Sequence, residues 1–277
     1  MGRGHRTLRP LAALLIVFAL GGCGWGQRPL RVCEDPNNLP FSNARAQGFE
    51  NRIIRIIAKA LGRKVEYTWW AQRRGFARNT LKGDKCDIWP GVASGVETMA
   101  TTRPYYRSTY VFVTRADHGP PITSFDDPRL RKLKIGVQLI GNDATNTPPT
   151  HALARRGIID NVRGYMIYGD YRRPNPPADI VKAVDDGDID VAIAWGPLAG
   201  YFAQRARHKL AVTPVSPWLD GPNWPMVFDI SMGVRKDDAK LKRQVDLALA
   251  QHRSEIAKIL AEFGVPIVPD PTQVDGG

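Results

Sequence analysis

Histidine and cysteine are scarce in this 277-residue chain, and neither forms a metal-binding or catalytic pattern. The five histidines lie at positions 5, 118, 151, 208 and 252, and no Cys-x-x-Cys or His-Glu-x-x-His motif occurs. A zinc site needs ligands with such spacing. A GxSxG elbow, a P-loop and a dinucleotide fingerprint in its required context are also missing. We therefore predict no catalytic residues and no metal site, and we expect that the chain is not an enzyme.

Long apolar segments are missing as well. The strongest apolar run, residues 11–20, is too short to cross a bilayer, which needs about 20 apolar residues. Three arginines and no acidic residue precede it, and two glycines follow it. This order is typical of a secretory signal peptide, which we predict over residues 1–22, and it indicates export to the periplasm.

A lipobox-like sequence, LGGC, occupies residues 20–23. Cleavage before Cys23 would leave a lipidated cysteine on a short tether and hold the protein at the membrane. Ordinary cleavage nearby would instead give a soluble periplasmic protein. Both outcomes stay open at the level of the sequence.

Cys33 and Cys86 remain as a pair once Cys23 is lipidated or removed. An even pair of cysteines in an oxidising compartment is a disulfide candidate. Cys33 ends the predicted strand LRVC and Cys86 begins the predicted strand CDIW, and the first and third strands of a doubly wound lobe often lie side by side. The pattern predicts a Cys33–Cys86 disulfide, with two buried free thiols as the alternative.

The formal charge of +12 is spread along the chain rather than collected in one tract. Arginine pairs lie at 73–74, 155–156 and 172–173. A nucleic-acid-binding protein usually concentrates its cations on one face, so no nucleic-acid partner is predicted. The positive charge is explained either by a basic surface that is simply solvated or by a surface that attracts an acidic partner or anionic lipid.

Alternating strand and helix patterns predict two α/β lobes. Such an alternation builds parallel sheets with helices on both faces, and ligands bind where the strands end. A proline- and glycine-containing segment, ADHGPPITSFDD, separates the two patterns. The predicted organisation is a signal peptide (1–22), a first part of lobe one (28–114), a hinge or boundary (115–132), lobe two (133–228), a return to lobe one with a C-terminal helix (229–267) and a disordered tail (268–277).

Hydrophobic spacing predicts the individual elements. The strand CDIWPGV is expected to end at Pro90, because proline cannot donate to a sheet ladder. Residues 239–263 are expected to form one helix. The other predicted helices are 47–61, 74–81, 151–158, 178–184 and 198–206, and the other predicted strands are 30–33, 65–70, 109–114, 134–138, 189–195, 210–215 and a return strand from 231.

Several segments carry a family resemblance. CDIWPG, PYYRSTYVFV, KIGVQ and GDIDVAIAW resemble the type II periplasmic solute-binding proteins, which implies their fold of two α/β lobes joined by extended hinge crossovers. LRVCEDPNNLPFSN, GFENRI, VEYTWWAQRRGFARNTL and TTRPYYRSTYVFV resemble the MxaJ/XoxJ family more specifically. That family consists of periplasmic binding-protein homologues associated with quinoprotein methanol dehydrogenases.

The resemblance implies a role in methanol oxidation. The chain would assist the maturation, activation or function of a methanol or alcohol dehydrogenase that depends on pyrroloquinoline quinone (PQQ). PQQ and its calcium or lanthanide ion would belong to that dehydrogenase, and this chain is expected to bind no cofactor itself. The implied partners are the dehydrogenase and its cytochrome c, with a small molecule in the cleft as a further candidate.

The groups by which related proteins hold amino acids are displaced or replaced here. Arg103, the only arginine in SGVETMATTRPYY, lies directly beside Pro104, and Trp195 stands where relatives carry an acidic residue. A buried carboxylate or ammonium without a counter-charge costs several kcal/mol. The alternative function, a transporter receptor, is therefore expected to take a small solute other than a typical free amino acid.

Candidate cleft residues are polar or aromatic residues in segments that are expected to open on the cleft. Turn formation, solvated charge or ordinary packing would explain each of them equally simply. The candidates are Asp35, Asn37, Trp70, Arg73, Arg103, Tyr105, Asn142, Asp143 and Trp195.

Overall fold

The computed structural model describes residues 1–2, 28–140, 146–167 and 171–269. The predicted signal peptide beyond Gly2, the lipidation candidate Cys23, and the cleft candidates Asn142 and Asp143 lie outside these residues. Within the described residues, no helix is both long and apolar enough to cross a membrane.

Strands and helices alternate through most of the described chain. The helices are α1 (Phe49–Ala60), α2 (Phe76–Asn79), α3 (Pro148–Arg155), α4 (Asp179–Asp186), α5 (Gly196–Ala203), α6 (Ala239–Gln251) and α7 (Arg253–Glu262). The strands are β1 (Leu30–Glu34), β2 (Asn37–Asn38), β3 (Ser42–Asn43), β4 (Val65–Trp69), β5 (Ile88–Ala93), β6 (Ala100–Thr101), β7 (Tyr106–Arg115), β8 (Ile135–Leu139), β9 (Val162–Met166), β10 (Val191–Trp195), β11 (Leu210–Pro214), β12 (Leu219–Asp220), β13 (Trp224–Pro225) and β14 (Val227–Val234).

A ten-stranded sheet runs through both lobes in the order β4-β1-β5-β14-β7-β10-β8-β9, with β6 and β11 joined at its sides. β7 connects the lobes. Its first half, Tyr106 to Thr109, pairs with β14, and its second half pairs with β10 and β11. The crossing is therefore made by paired strands.

The segment 115–132, expected at the boundary, packs on lobe two. Ile122, Phe125 and Leu130 are buried in the same apolar cluster as Phe112 of β7 and Ile135 of β8. The segment is mostly irregular, with a short 3-10 helix at Pro128–Arg131, and these three apolar side chains anchor it on lobe two.

Lobe one has its core between the sheet and helices α1, α6 and α7. The predicted single helix 239–263 is divided, because α6 ends at Gln251 and His252 has a non-helical φ of −104° and ψ of 16°. Leu249 and Ile256, on either side of the break, are both buried in the core of lobe one. The chain stays ordered through Val268, whose backbone N–H donates to the carbonyl of Arg107 at 3.1 Å.

Pro90 lies inside β5, and the expectation that it ends the strand was wrong. The register between β5 and β14 shifts between Ser231 and Gly233, opposite this part of β5. An irregular position of this kind is where a strand accommodates a residue without an N–H.

The predicted disulfide is confirmed. Cys33 of β1 and Cys86, just before β5, are joined with their Cα atoms 5.5 Å apart. Both are fully buried, and they pack with Phe76 and Leu81 in a small separate cluster. The disulfide therefore ties together two strands that neighbour each other in the sheet of lobe one.

Candidate ligand cavity between the lobes

A cavity of about 310 Å³ lies between the lobes, close to the ends of β1, β5, β8 and β10. This volume is near the lower end of small-molecule sites, which are about 300–1,000 Å³. The lining residues are Asp35, Asn37, Asn38, Phe41, Glu50, Gln72, Gly91, Tyr110, Gln138, Ile140, Thr147, Ile167, Tyr171, Pro177, Trp195, Leu198, Phe228 and Ile230.

Asp35 lines the cavity, but its carboxylate is already occupied by neighbours. Oδ1 accepts the backbone N–H of Asn37 at 2.7 Å, and Oδ2 accepts the backbone N–H of Gln72 at 2.6 Å. The hydroxyl of Tyr171, from lobe two, also donates to Oδ2. Burial and these contacts with Asp35 raise the pKa of Tyr171. Asp35 therefore organises the wall and bridges the lobes.

Asn37 makes a second bridge between the lobes. Its Nδ2 donates to the carbonyl of Arg173 at 2.8 Å, and its Oδ1 accepts the backbone N–H of Asn175 at 3.0 Å. The loop after β1 thus binds the loop before α4 through both ends of one amide. These bonds hold one side of the cavity together.

Arg73 and Trp70 do not line the cavity. The guanidinium of Arg73 lies 4.8 Å from the ring centroid of Tyr171, so it contacts a lining residue without itself lining the cavity. Trp70 is 40% exposed, and the ammonium of Lys85 lies 5.4 Å from its ring centroid.

Arg103 and Tyr105 also lie away from the cavity. Arg103 is exposed, and its backbone N–H donates to Oδ1 of Asp246 at 2.7 Å. The Tyr105 hydroxyl donates to the carbonyl of Pro90 at 3.1 Å, and its ring packs on the core of lobe one. Both residues therefore have contacts that need no ligand.

Trp195 lines the cavity together with two other rings. Its ring centroid lies 5.4 Å from that of Tyr110 and 5.9 Å from that of Phe228, and the latter two are 6.4 Å apart. The three planes meet edge to face, which is a favoured aromatic geometry. The backbone N–H of Trp195 donates to Oε1 of Gln138 at 2.7 Å, which fixes the end of β10 against β8. We call Tyr110, Trp195 and Phe228 the aromatic wall.

Glu50 is a lining residue that the sequence did not reveal. It is the second residue of α1 and only 6% exposed, and burial raises the pKa of its carboxyl to about 8. Gly91 of β5 makes room for it, because a Cβ built on Gly91 would lie 2.0 Å from Glu50 Oε1. In the sequence, Glu50 resembles the common acidic residue of a helix first turn, which favours the helix dipole and needs no site.

Glu34, the last residue of β1, is the second buried acid in this region, and it does not line the cavity. Asn51 Nδ2 donates to its Oε2, while its Oε1 has no hydrogen-bond partner among the described residues. Burial, and next the charge of Glu50, raise the pKa of Glu34 well above its ordinary value. Simultaneous ionisation of Glu34 and Glu50 is therefore strongly disfavoured.

The described lining contains two acidic residues and no lysine, arginine or histidine. Among the described residues, no group of three or more His, Cys, Asp or Glu side chains could hold a metal ion. An arginine that would grip a ligand carboxylate is thus not found in the described wall. The cavity can offer carboxyl and amide groups, and aromatic surface.

The comparison with known proteins agrees with the architecture. The model of bacterial extracellular solute-binding proteins, family 3, matches residues 30–265. Protein MoxJ of Methylorubrum extorquens is 36% identical over 253 residues, which are 87% of this chain and 82% of that protein.

Two crystal structures are similar over nearly the same part of the chain. The periplasmic binding protein XoxJ from Methylobacterium extorquens AM1 gives a TM-score of 0.72 at 34% identity, covering 87% of this chain and 100% of that one. MxaJ from Methlophaga aminisulfidivorans MPT gives a TM-score of 0.76 at 26% identity, covering 86% and 100%. The type II binding-protein fold and the family resemblance seen in the sequence are confirmed. The chain belongs to the family 3 bacterial extracellular solute-binding proteins and, within them, to the MxaJ/XoxJ family.

Proposed function

We propose that this protein is a periplasmic accessory of a PQQ-dependent methanol or alcohol dehydrogenase and assists its maturation, activation or function. The observation that carries the proposal is the 36% identity to MoxJ across 87% of the chain. Sequence similarity of this extent covers both lobes rather than a single shared motif.

The residues that line the cleft favour a function other than the binding of free amino acids. The described wall offers no cationic side chain for a carboxylate, and Arg103 lies exposed outside the cavity. A ligand carboxylate would face Glu50 and Asp35, which disfavours its burial. The protein therefore acts as a binding protein whose partner is the dehydrogenase. PQQ and the calcium or lanthanide ion stay with that dehydrogenase.

The location follows from the family and from the export signal. Cleavage after the predicted signal peptide would release the mature chain into the periplasm, where a Cys33–Cys86 disulfide is stable. Lipidation of Cys23 would keep it at the membrane. Mass spectrometry of the mature N-terminus distinguishes these forms, since a lipidated chain begins at Cys23 and carries the mass of its acyl groups.

The decisive experiment uses the dehydrogenase encoded in the same genome. It is purified from cells with and without this protein, and its PQQ content, metal content and methanol oxidation rate are compared. We expect lower activity per enzyme without the accessory, restoration on adding the purified protein, and co-migration in size-exclusion chromatography. An unchanged dehydrogenase, with no association, would overturn the proposal.

Receptor function for a permease remains the second candidate, because the cavity between the lobes, at about 310 Å³, is large enough to hold a small solute. Loss of solute uptake in a deletion strain, with normal methanol oxidation, would favour it. The genes beside the coding sequence offer a rapid first comparison: dehydrogenase and cytochrome c genes favour the accessory, and permease and ATPase genes favour the receptor.

A further inference from the structure

The unexplained feature of the cavity is the carboxyl group of Glu50. It lines the cavity and its residue is only 6% exposed, and its oxygens are not among the fully enclosed atoms of the described residues that lack a partner, so the carboxyl faces the cavity. A carboxyl group in such a secluded position is costly to ionise unless a group in the cavity compensates its charge. Gly91 leaves space for this carboxyl, since any Cβ there would collide with it.

The other residues that line the cavity restrict the chemical class of ligand that it can bind. Asp35 adds a second carboxylate, and no lysine, arginine or histidine lines the described wall. The aromatic wall of Tyr110, Trp195 and Phe228 lines the same cavity. An aromatic ring attracts a cation through its quadrupole, and aromatic cages are a known solution for binding alkylated ammonium groups.

We propose that the cavity binds a small alkylammonium ion, whose charge is balanced by Glu50 and whose alkyl groups pack on the aromatic wall. A zwitterionic amino acid fits less well, because its carboxylate would lie among carboxyl groups. A neutral alcohol of the same shape would gain the apolar contact but would offer no positive charge to balance Glu50. The proposal rests on the cavity alone and does not depend on an association with a dehydrogenase.

Binding of a cation should be linked to loss of a proton. The pKa of Glu50 is about 8 in the empty protein because of burial, so its carboxyl is largely protonated at neutral pH. Other titratable groups coupled to this region are Glu34 and the phenols of Tyr67, Tyr105 and Tyr106, whose pKa values are all raised, while the charge of Arg55 lowers the pKa of Glu34. A bound cation lowers the pKa of Glu50, so affinity should rise with pH by up to about tenfold per unit below 8.

Titration calorimetry with choline chloride tests the proposal. The neutral control ligand is 3,3-dimethyl-1-butanol, which replaces the charged nitrogen of choline by carbon. Amine-free phosphate buffer with sodium chloride at matched ionic strength prevents competition by a buffer cation. At about pH 8.5 we expect choline to bind at least about tenfold more tightly than the alcohol, a margin of about 1.4 kcal/mol.

Glu50→Gln is the matched variant, and Glu66→Gln is its control, because Glu66 is exposed on β4. Glu50→Gln should weaken choline binding by about tenfold or more, keep the binding of the alcohol and lose most of the pH dependence. Glu66→Gln should behave as the wild type. Equal affinity for choline and the alcohol, no choline binding, or full choline affinity in Glu50→Gln would each overturn the proposal. The comparison of the two ligands on the wild-type protein remains decisive even if Glu50→Gln does not fold.

Discussion

Two buried acids near the cavity, Glu50 and Glu34, should make the free energy of unfolding depend on pH. The pKa of Glu50 is raised to about 8 by burial, and that of Glu34 is raised by burial and by Glu50. Unfolded, both acids lose their protons near their ordinary pKa of 4.5. The folded state therefore holds more protons between these limits, and the free energy of unfolding falls as pH rises.

Glu50→Gln should reduce this pH dependence. Glu50 alone contributes a loss of up to about 1.4 kcal/mol per pH unit between its two pKa values. Because glutamine carries no charge, the variant should be more stable than the wild type at about pH 8.5 and show a shallower slope. Urea unfolding at several pH values measures this, with exposed Glu66→Gln as the control. Parallel slopes for wild type and Glu50→Gln would show that Glu50 is ionised in the folded protein.

Prediction from sequence was uneven at this scale. Asp35, Asn37 and Trp195 were expected to lie at the cleft and do line the cavity, because Asp35 and Asn37 lie just beyond the end of β1 and Trp195 ends β10. Glu50 was missed because an acidic residue in a helix first turn needs no further explanation. Arg103 was misplaced because sequence spacing does not show that its segment runs over the surface beside Asp246.

Elements were predicted best where their pattern was strong. β1, β5 and the disulfide between them followed from buried strand patterns and from the cysteines. β9 was missed because VRGYM is a half-exposed edge strand with a glycine and an arginine, and so lacks an apolar run. The break at His252 was missed because both sides of it keep apolar residues that pack on lobe one.

The disulfide is expected to hold β1 against β5. It closes a loop with a sequence separation of 53, for which the chain-entropy model gives about 4 kcal/mol. The double variant Cys33→Ser/Cys86→Ser should lose stability of this order in urea unfolding. The wild type in strong reductant should match the double variant, and an undiminished stability in both would contradict a stabilising role.

At the scale of the molecule, the two lobes meet through residues that are remote in sequence. The bond between Asn37 and Asn175 joins positions 138 apart. The alternation of strands and helices predicts that two lobes exist, but it does not predict which loops meet. That choice depends on the shapes of both folded lobes.

Removing the bridging contacts should open the cleft. Tyr171→Phe together with Asn37→Ala removes the bond to Asp35 and the bonds to Arg173 and Asn175. At about 1 kcal/mol for each of the three bonds, the balance should move by a factor of about 150 towards the open form. Small-angle X-ray scattering would detect a larger radius of gyration. Tyr165→Phe is the matched control, because its buried hydroxyl has no partner among the described residues; equal opening in the control would refute the assignment.

The paired crossing through β7 and β14 has a consequence for the speed of this motion. Each half of β7 keeps its own neighbouring strands, so the lobes can rotate by a change of strand twist while the ladder stays intact. No hydrogen bond of the strand ladder has to break and no loop has to refold, and hinge motions of this kind take microseconds to milliseconds. The exchange rate of a ligand in the cavity should therefore be set by its own affinity and not by the motion of the lobes. Relaxation-dispersion signals should concentrate at the junction near Thr109.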